Sequence, residues 1–367
     1  PTMQWTGGYS EEPVSNNIAS LPNLVWVAEA MTISPTANVR WQGTYTQTAD
    51  INMWTTPGWD GNKGWTPIGG TAAVPNFSGL YDGQNKLITN LFINRTTNNI
   101  GLFGVINGSN DKVKNLGMLN VNITGSSSVG SLCGLFYGGT LRNCYATGII
   151  TGSGNSIGGL VGTVQNNIGG IHNSFSTCNV TGLNEVGGFT GLNGGLISNC
   201  YSIGSVTRSS GASATIGSFC GKNHNFLDAT FTNCYSAGKV YELPGVIWDT
   251  DGATKGFLGD VSTTNPNYSN NFFDQTTSGQ TSGTGATAKT TAQMKTQSTF
   301  TGWDFATIWK ISSALNDGYP TFQWVPETGP ADPTSFTATA NSATRIDLSW
   351  ALNANSDTVV MAYNSTA

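Results

Sequence analysis

The chain has 367 residues, only 10% of them charged, with 48 glycines and a formal net charge of −5. With no basic run anywhere, that balance argues against a nucleic-acid surface, and no apolar stretch approaches the roughly 20 residues of a membrane-spanning helix. No signal peptide is visible and the numbering opens on Pro1, so the sequence reads as a processed or trimmed chain.

Residues 1–75 read as an N-terminal cap. Ser20 stands as an N-cap before Leu21-Pro22, and apolar residues succeed it at Leu24, Val25 and Ala28. This predicts one amphipathic helix over Ser20–Met31, laid over the first coil of the segment beyond residue 75. Trp41, Trp54, Trp59 and Trp65 come next, with turn chemistry at Pro57-Gly58 and Asp60-Gly61.

From residue 76 to 275 the chain repeats. A phrase of alternating apolar residues and glycines closes at Gly104, Gly134, Gly162, Gly191, Gly221 and Gly259, at spacings of 30, 28, 29, 30 and 38. A second phrase is interleaved at the same period: Asn143-Cys-Tyr145, Asn173-Ser-Phe175, Asn199-Cys-Tyr201 and Asn233-Cys-Tyr235. Two interleaved phrases at one period define a repeat architecture, and a period this short favours a parallel β-solenoid over a propeller. Where the phrase is complete, at Val129, Ile157, Val186 and Ile216, apolar residues lie five and two positions before the closing glycine, as at Ile157 and Leu160. An odd separation cannot put both on one face of a straight strand, so the chain must turn a corner between them. Stacking the coils then predicts an asparagine ladder, an aromatic ladder and a valine column at Ile150, Val180, Val206 and Val240.

The six cysteines fit the same frame. Cys144, Cys200 and Cys234 share one column, and Cys133 and Cys220 share another three turns apart. Rungs about 4.8 Å apart put the latter pair beyond bonding reach, and the expectation is a ladder of buried thiols rather than disulfides.

After Asn270-Asn-Phe-Phe-Asp274 the aromatic-dense tract through Trp303, Trp309, Tyr319 and Trp324 reads as a C-terminal cap over 276–329. From 330 to 367, Ser335–Ala340 and Arg345–Trp350 alternate as strands and look like the opening of a fibronectin type III domain. Such a sandwich needs about 100 residues, so the β-sandwich is truncated and the natural protein is expected to continue into further domains.

The phrases Ile157-Gly-Gly-Leu-Val-Gly162 and Val186-Gly-Gly-Phe-Thr-Gly191, with the Asn-Cys-Tyr beat between them, resemble the GLUG-motif repeats of bacterial surface proteins. The lead-in at Trp65–Gly69 and Phe77–Gly83 and the ending at Gly302–Phe305 and Gly318–Pro320 are similar to that family's flanking segments. The resemblance implies a secreted or cell-surface chain, adhesin-like or adjoining a peptidase, and carries no catalytic residues with it.

Residues 100–240 hold nine charged side chains, of which only Asp111, Glu185 and Asp228 are acids. Glu185 and Asp228 fall at different phases of the repeat, so no carboxylate pair of the glycosidase kind is in view. His172 and His224 read as structural or solvated. Asp249-Thr-Asp251-Gly252 faintly resembles a calcium loop but lacks the later glutamate. No metal or cofactor is therefore expected, and no catalytic residue is assigned. The expectation is an extracellular, non-catalytic adhesin-like or structural module, with a glycan or a host or cell-surface protein as partner. The alternative is a carbohydrate-active module that either binds glycans, with Trp54, Trp59 and Trp65 stacking on sugar rings, or cleaves polysaccharide. The competing reading of the tryptophans has them sealing the N-terminal end of the core.

Overall fold

The computed structural model describes residues 10–29, 39–70, 76–165, 168–209, 215–224, 229–243, 246–247, 255–261, 267–325, 334–342 and 345–351. They fall into two compact units, 1–303 and 304–367.

The first unit is a parallel β-solenoid of about seven turns. One coil runs through Gly139–Gly152, Asn155–Gly158 and Val161–Val164, and the next repeats it as Gly169–Ser176, Asn179–Gly182, Asn184–Gly187 and Thr190–Asn193. Corresponding residues pair in parallel register: Ile150 with Val180, Ile157 with Val186, and Val161 with Thr190. The predicted corner is present, because Ile157 and Leu160 are both fully buried while Asn155–Gly158 and Val161–Val164 belong to different sheets.

The closing glycines have a reason beyond bending. A Cβ on Gly191 would lie 2.2 Å from the Ser156 carbonyl carbon, and one on Gly221 would lie 2.3 Å from that of Glu185. Each packs backbone to backbone on the coil before it, where any side chain would hold the two coils apart. Leu102, Leu132, Leu160, Phe189, Phe219 and Phe257 form one fully buried interior column. Each contributes about 1.5–3 kcal/mol by burial, and the phenylalanines stack face to face with centroids 5.0 and 4.7 Å apart.

The asparagine column sits at a left-handed corner. Asn115, Asn143, Asn173, Asn199, Asn233 and Asn270 all have φ between 48° and 54°, a region that asparagine enters more readily than other side-chain-bearing residues. Their amides bond along the axis in two runs, Asp82–Asn115–Asn143 and Asn199–Asn233–Asn270, at 2.9–3.2 Å. Beside them Tyr145, Phe175, Tyr201 and Tyr235 stack at 4.6–4.9 Å with nearly parallel rings.

The helix, α1, spans Leu21–Ala28, shorter than the sequence pattern suggested, with the Ser20 hydroxyl accepting from the Asn23 N–H. Leu24, Val25, Val27 and Ala28 join the core. Trp41 Nε1 donates to the Val27 carbonyl (2.9 Å), and the Arg40 guanidinium lies 3.7 Å from the Trp26 ring centroid. Parallel pairing also extends past both expected limits of the repeat. It begins where Asn17–Ile18 meets Thr46–Gln47, and it ends where Phe272–Asp274 meets Thr287–Lys289.

In the second unit Trp309–Lys310 pairs antiparallel with Thr321–Phe322, the Trp309 and Phe322 rings 4.6 Å apart. Thr334–Ser342 and Arg345–Ala351 form an antiparallel hairpin.

All six cysteines are free and buried. Burial raises the thiols of Cys144 and Cys178 to about 12 and pushes Cys133, Cys200 and Cys220 up as well, so thiolate is scarce at neutral pH. A disulfide-exchange reagent is expected to label none of the six in the native protein and all six after denaturation. Fast labelling of even one in the native state would contradict this burial.

Candidate functional site

Two surfaces of the first unit gather polar side chains from successive coils. The first contains the tryptophan predicted from the Gly/Pro loop, but not all three. Trp59 and Trp65 are 2% and 0% exposed, with rings 6.5 Å apart, and Trp65 Nε1 donates to the Leu102 carbonyl at 3.1 Å. They lie in the core, so no platform of three exposed rings exists. Trp54 differs: it is 69% exposed.

Trp54 is held in place by its neighbours. Its N–H donates to Asn52 Oδ1 (3.1 Å), and Asn90 Nδ2 donates to the same oxygen (2.9 Å). Asn120 Nδ2 donates to Asn90 Oδ1 at 2.6 Å, and the Asn120 N–H donates to Thr147 Oγ1 at 3.0 Å. Four successive coils are thus tied by a second, outer ladder of amides and a hydroxyl. Asn90 and Asn120 again take positive φ, 59° and 54°. The turn behind Trp54 is fixed by Thr56, whose Oγ1 donates to the Met53 carbonyl and accepts from the Phe92 N–H.

The second surface is a column of charge. Asp82, Lys114, Arg142, His172 and Ser198 occupy one register position on successive coils. Lys114 bridges Asp82 (3.3 Å) and Asp111 (3.9 Å), and Arg142 donates to Asp111 Oδ2 through Nη2 (2.7 Å) and Nε (3.1 Å). His172 Nδ1 lies 2.7 Å from Ser198 Oγ. Alongside runs a groove lined by Gln42, Thr44, Ser78, Asn110, Asp111 and Lys112, and the Lys112 ammonium donates to the Ser78 carbonyl. The signal for this column was the shared phase of Asp82, Lys114, Arg142 and His172 in the repeat.

The hydrogen bonds from Arg142 hold the Asp111 carboxyl below its usual range against the opposing effect of burial. For Asp82 burial pulls upward, but the Asn115 amide, the Gln84 N–H and Lys114 together outweigh it. The His172 pKa is lowered, first by burial and then by Arg142. Carboxyls depressed in the folded state stabilise it above the unfolded pKa near 3.9, and that contribution is lost as pH falls through the lower folded value. The lowered His172 pKa begins to cost stability as pH falls below about 6.5. The melting temperature is therefore expected to slip gently from pH 7 to about 5 and to drop steeply below about pH 4. Asp111→Asn should melt lower at pH 7 and show a shallower acid limb; an unchanged acid limb would contradict this assignment.

Three further acids have local duties. Ser156 Oγ donates to Glu185 Oε2 at 2.6 Å, Asp260 faces Lys222 at 3.7 Å, and Asp274 caps the helical turn Gln275–Ser278. The His224 N–H donates to the Asn193 carbonyl. Asp228, Asp249 and Asp251, and with the last two the calcium-loop reading, lie outside the described residues. Among the described residues no group of three or more His, Cys, Asp or Glu converges on one point.

Fold and surface together define a class: a parallel β-solenoid whose outer faces are ladders of amides, hydroxyls and paired charges. Residues 125–151 match the family model described as the GLUG motif. The chain is 36% identical over 171 residues to halomucin of Haloquadratum walsbyi, covering 45% of this chain and 2% of that protein. It is 43% identical over 96 residues to an Evansella cellulosilytica protein provisionally named a Gly-rich membrane protein, covering 25% of this chain and 10% of that one. It is 27% identical over 199 residues to the immunoglobulin A1 protease of Streptococcus sanguinis, covering 49% of this chain and 10% of that one. The chain thus spans only 2–10% of the length of these curated relatives. A crystal structure from Bacteroides ovatus, provisionally named an immunoglobulin A1 protease, superposes with a TM-score of 0.59 at 20% identity. It covers 84% of this chain and 92% of that one, a likeness of fold. Among the described residues no helix is long and apolar enough to cross a membrane.

Proposed function

We propose that this chain is a non-catalytic, extracellular module of a larger secreted or cell-surface protein, serving as a stalk and adhesive surface. The observation that carries the reading is the use of its carboxylates. Asp82 and Asp111 are bound into one ion-pair column, Glu185 to a serine, Asp260 to a lysine and Asp274 to a helical turn. Of these only Asp82 and Asp111 converge, and both are held ionised by Lys114, Arg142 and Asn115. The others sit on separate coils and faces, whereas general acid–base hydrolysis needs two converging carboxyls of which one can carry a proton. The relatives named halomucin and membrane protein support a surface location. On this reading the hairpin Thr334–Ser342 and Arg345–Ala351 opens a fibronectin-type sandwich that joins the solenoid to the rest of the protein.

A second reading is favoured by the two comparisons that carry a protease name: the solenoid is a spacer beside a peptidase domain. One experiment addresses both. Beads coated with the chain are expected to retain bacterial or epithelial cells above albumin-coated beads, with no peptide or polysaccharide hydrolysed. Turnover of either polymer by the purified chain would overturn the non-catalytic reading, and retention no better than albumin would leave the spacer role in its place.

A further inference from the structure

We propose that Trp54 and the outer amide ladder Asn52–Asn90–Asn120–Thr147 form a binding site for a neutral polysaccharide whose chain runs along the solenoid axis. The proposal rests on the adhesive reading above and names its ligand class and its contact residues.

The ring comes first. An indole that is 69% exposed, on a loop whose other tryptophans are buried, is an apolar surface left uncovered by the described residues of the unit. Its backbone is fixed by the bond from its N–H to Asn52 Oδ1 and by the Thr56 turn behind it. A pyranose offers a flat face of C–H groups to such a ring and a rim of hydroxyls to whatever lies alongside.

What lies alongside is the ladder. Each amide carries two N–H donors and an oxygen with two lone pairs. The contacts along the ladder use one donor of Asn90 and one of Asn120, so capacity for sugar hydroxyls remains on side chains that are at least partly exposed. Because the amides are already tied to one another, little side-chain freedom is lost on binding. The ladder climbs about 4.8 Å per coil, close to the advance of one sugar in an extended chain, so consecutive sugars meet consecutive rungs. A single sugar would use one rung, but a polymer uses several at once.

The charge distribution selects a neutral glycan. Asn52, Trp54, Asn90, Asn120 and Thr147 carry none, and exposed Asn122 and Ile149 extend the same neutral character. Asp50, the nearest acid in sequence, accepts from the Leu87 N–H at 2.9 Å. Lys114 and Arg142, which would attract a sulfated or uronic acid polymer, are gathered in the separate column with Asp82. Arg95 is paired with Asp60 at 2.9 Å, which leaves Lys63 and Lys86 as the cations nearest the site in sequence.

The test is native affinity electrophoresis of the full chain in gels containing soluble glucan, mannan or xyloglucan, with heparin as the charged comparison. The folded chain is expected to be retarded by at least one neutral polymer and more strongly than by heparin. Trp54→Ala should weaken that retardation about tenfold or more, and Trp54→Phe should restore most of it. Asn120→Gly, which removes the amide and keeps the left-handed backbone, should weaken it by about three- to tenfold. Thermal melts confirm that each variant folds, as expected for changes at exposed side chains. Equal retardation of wild type and Trp54→Ala, stronger retardation by heparin, or no retardation by any of the three neutral polymers would each overturn the site. Coated beads that still retain cells in those cases would leave the adhesive reading standing without this site; beads that retain none would remove both.

Discussion

Gly191→Ala is expected to destabilise the solenoid by about 3 kcal/mol or more, at or beyond the upper end of overpacking costs. The added Cβ would sit 2.2 Å from the Ser156 carbonyl carbon and 2.3 Å from the Ile157 nitrogen. Carbon contacts are comfortable only beyond about 3.5 Å. Both neighbours are backbone, so no rotamer change relieves the overlap. The coils must separate, and separation breaks the register that pairs Ile157 with Val186 and Val161 with Thr190. Gly58→Ala is the control, because nothing lies within 4 Å of a Cβ there; it should fall within about 0.5 kcal/mol of wild type. Urea titration followed by circular dichroism measures both. A Gly191→Ala midpoint matching that of Gly58→Ala would mean that the coils are looser than this packing implies.

The same glycines mark where sequence reading ends. The apolar beats were legible because Val129, Ile157, Val186 and Ile216 recur at one phase, and burial tracks phase. The glycines were legible as a corner, but their close approach to the preceding coil was not, since nothing within one coil encodes how near its neighbour lies. The asparagine column was readable as an amide ladder; its left-handed backbone appears only once the corner is built.

The candidate surfaces divide in the same way. Trp54, Trp59 and Trp65 share a loop and a composition, and what separates them is cover from a later coil, such as the Leu102 carbonyl that receives Trp65 Nε1. The charged column was encoded in plain view, one charged residue or histidine per period from Asp82 to His172, yet reading along the chain scatters residues that register stacks. The first and last rungs, Asn17–Ile18 and Thr287–Lys289, are too short to show any alternation.

Phe219→Ala is the second large effect expected, a loss of about 3–5 kcal/mol for a buried phenylalanine. The ring is fully buried, stacked between Phe189 and Phe257 at 5.0 and 4.7 Å, and edge-on to Phe231 at 5.6 Å. Truncation leaves a void bounded by three rings, each held by its own coil and unable to collapse far into it. In a repeat protein the damage is confined mainly to the interfaces of the altered repeat, because each coil contacts only its neighbours. Hydrogen exchange should therefore accelerate in Thr190–Asn193, Cys220–Asn223 and Leu258–Val261, the strands paired around the void. Thr44–Gln47 and Leu80–Thr89, which carry the N-terminal coils beneath Trp54, should keep their protection. If exchange instead rises uniformly through Leu80–Thr89, the coils unfold as one cooperative unit. The Trp54 surface could not then be separated from the stability of the far end, and retardation of Phe219→Ala by a neutral polymer would weaken with its fold. Retained retardation together with local exchange would place glycan binding and distal core packing on independent parts of one solenoid.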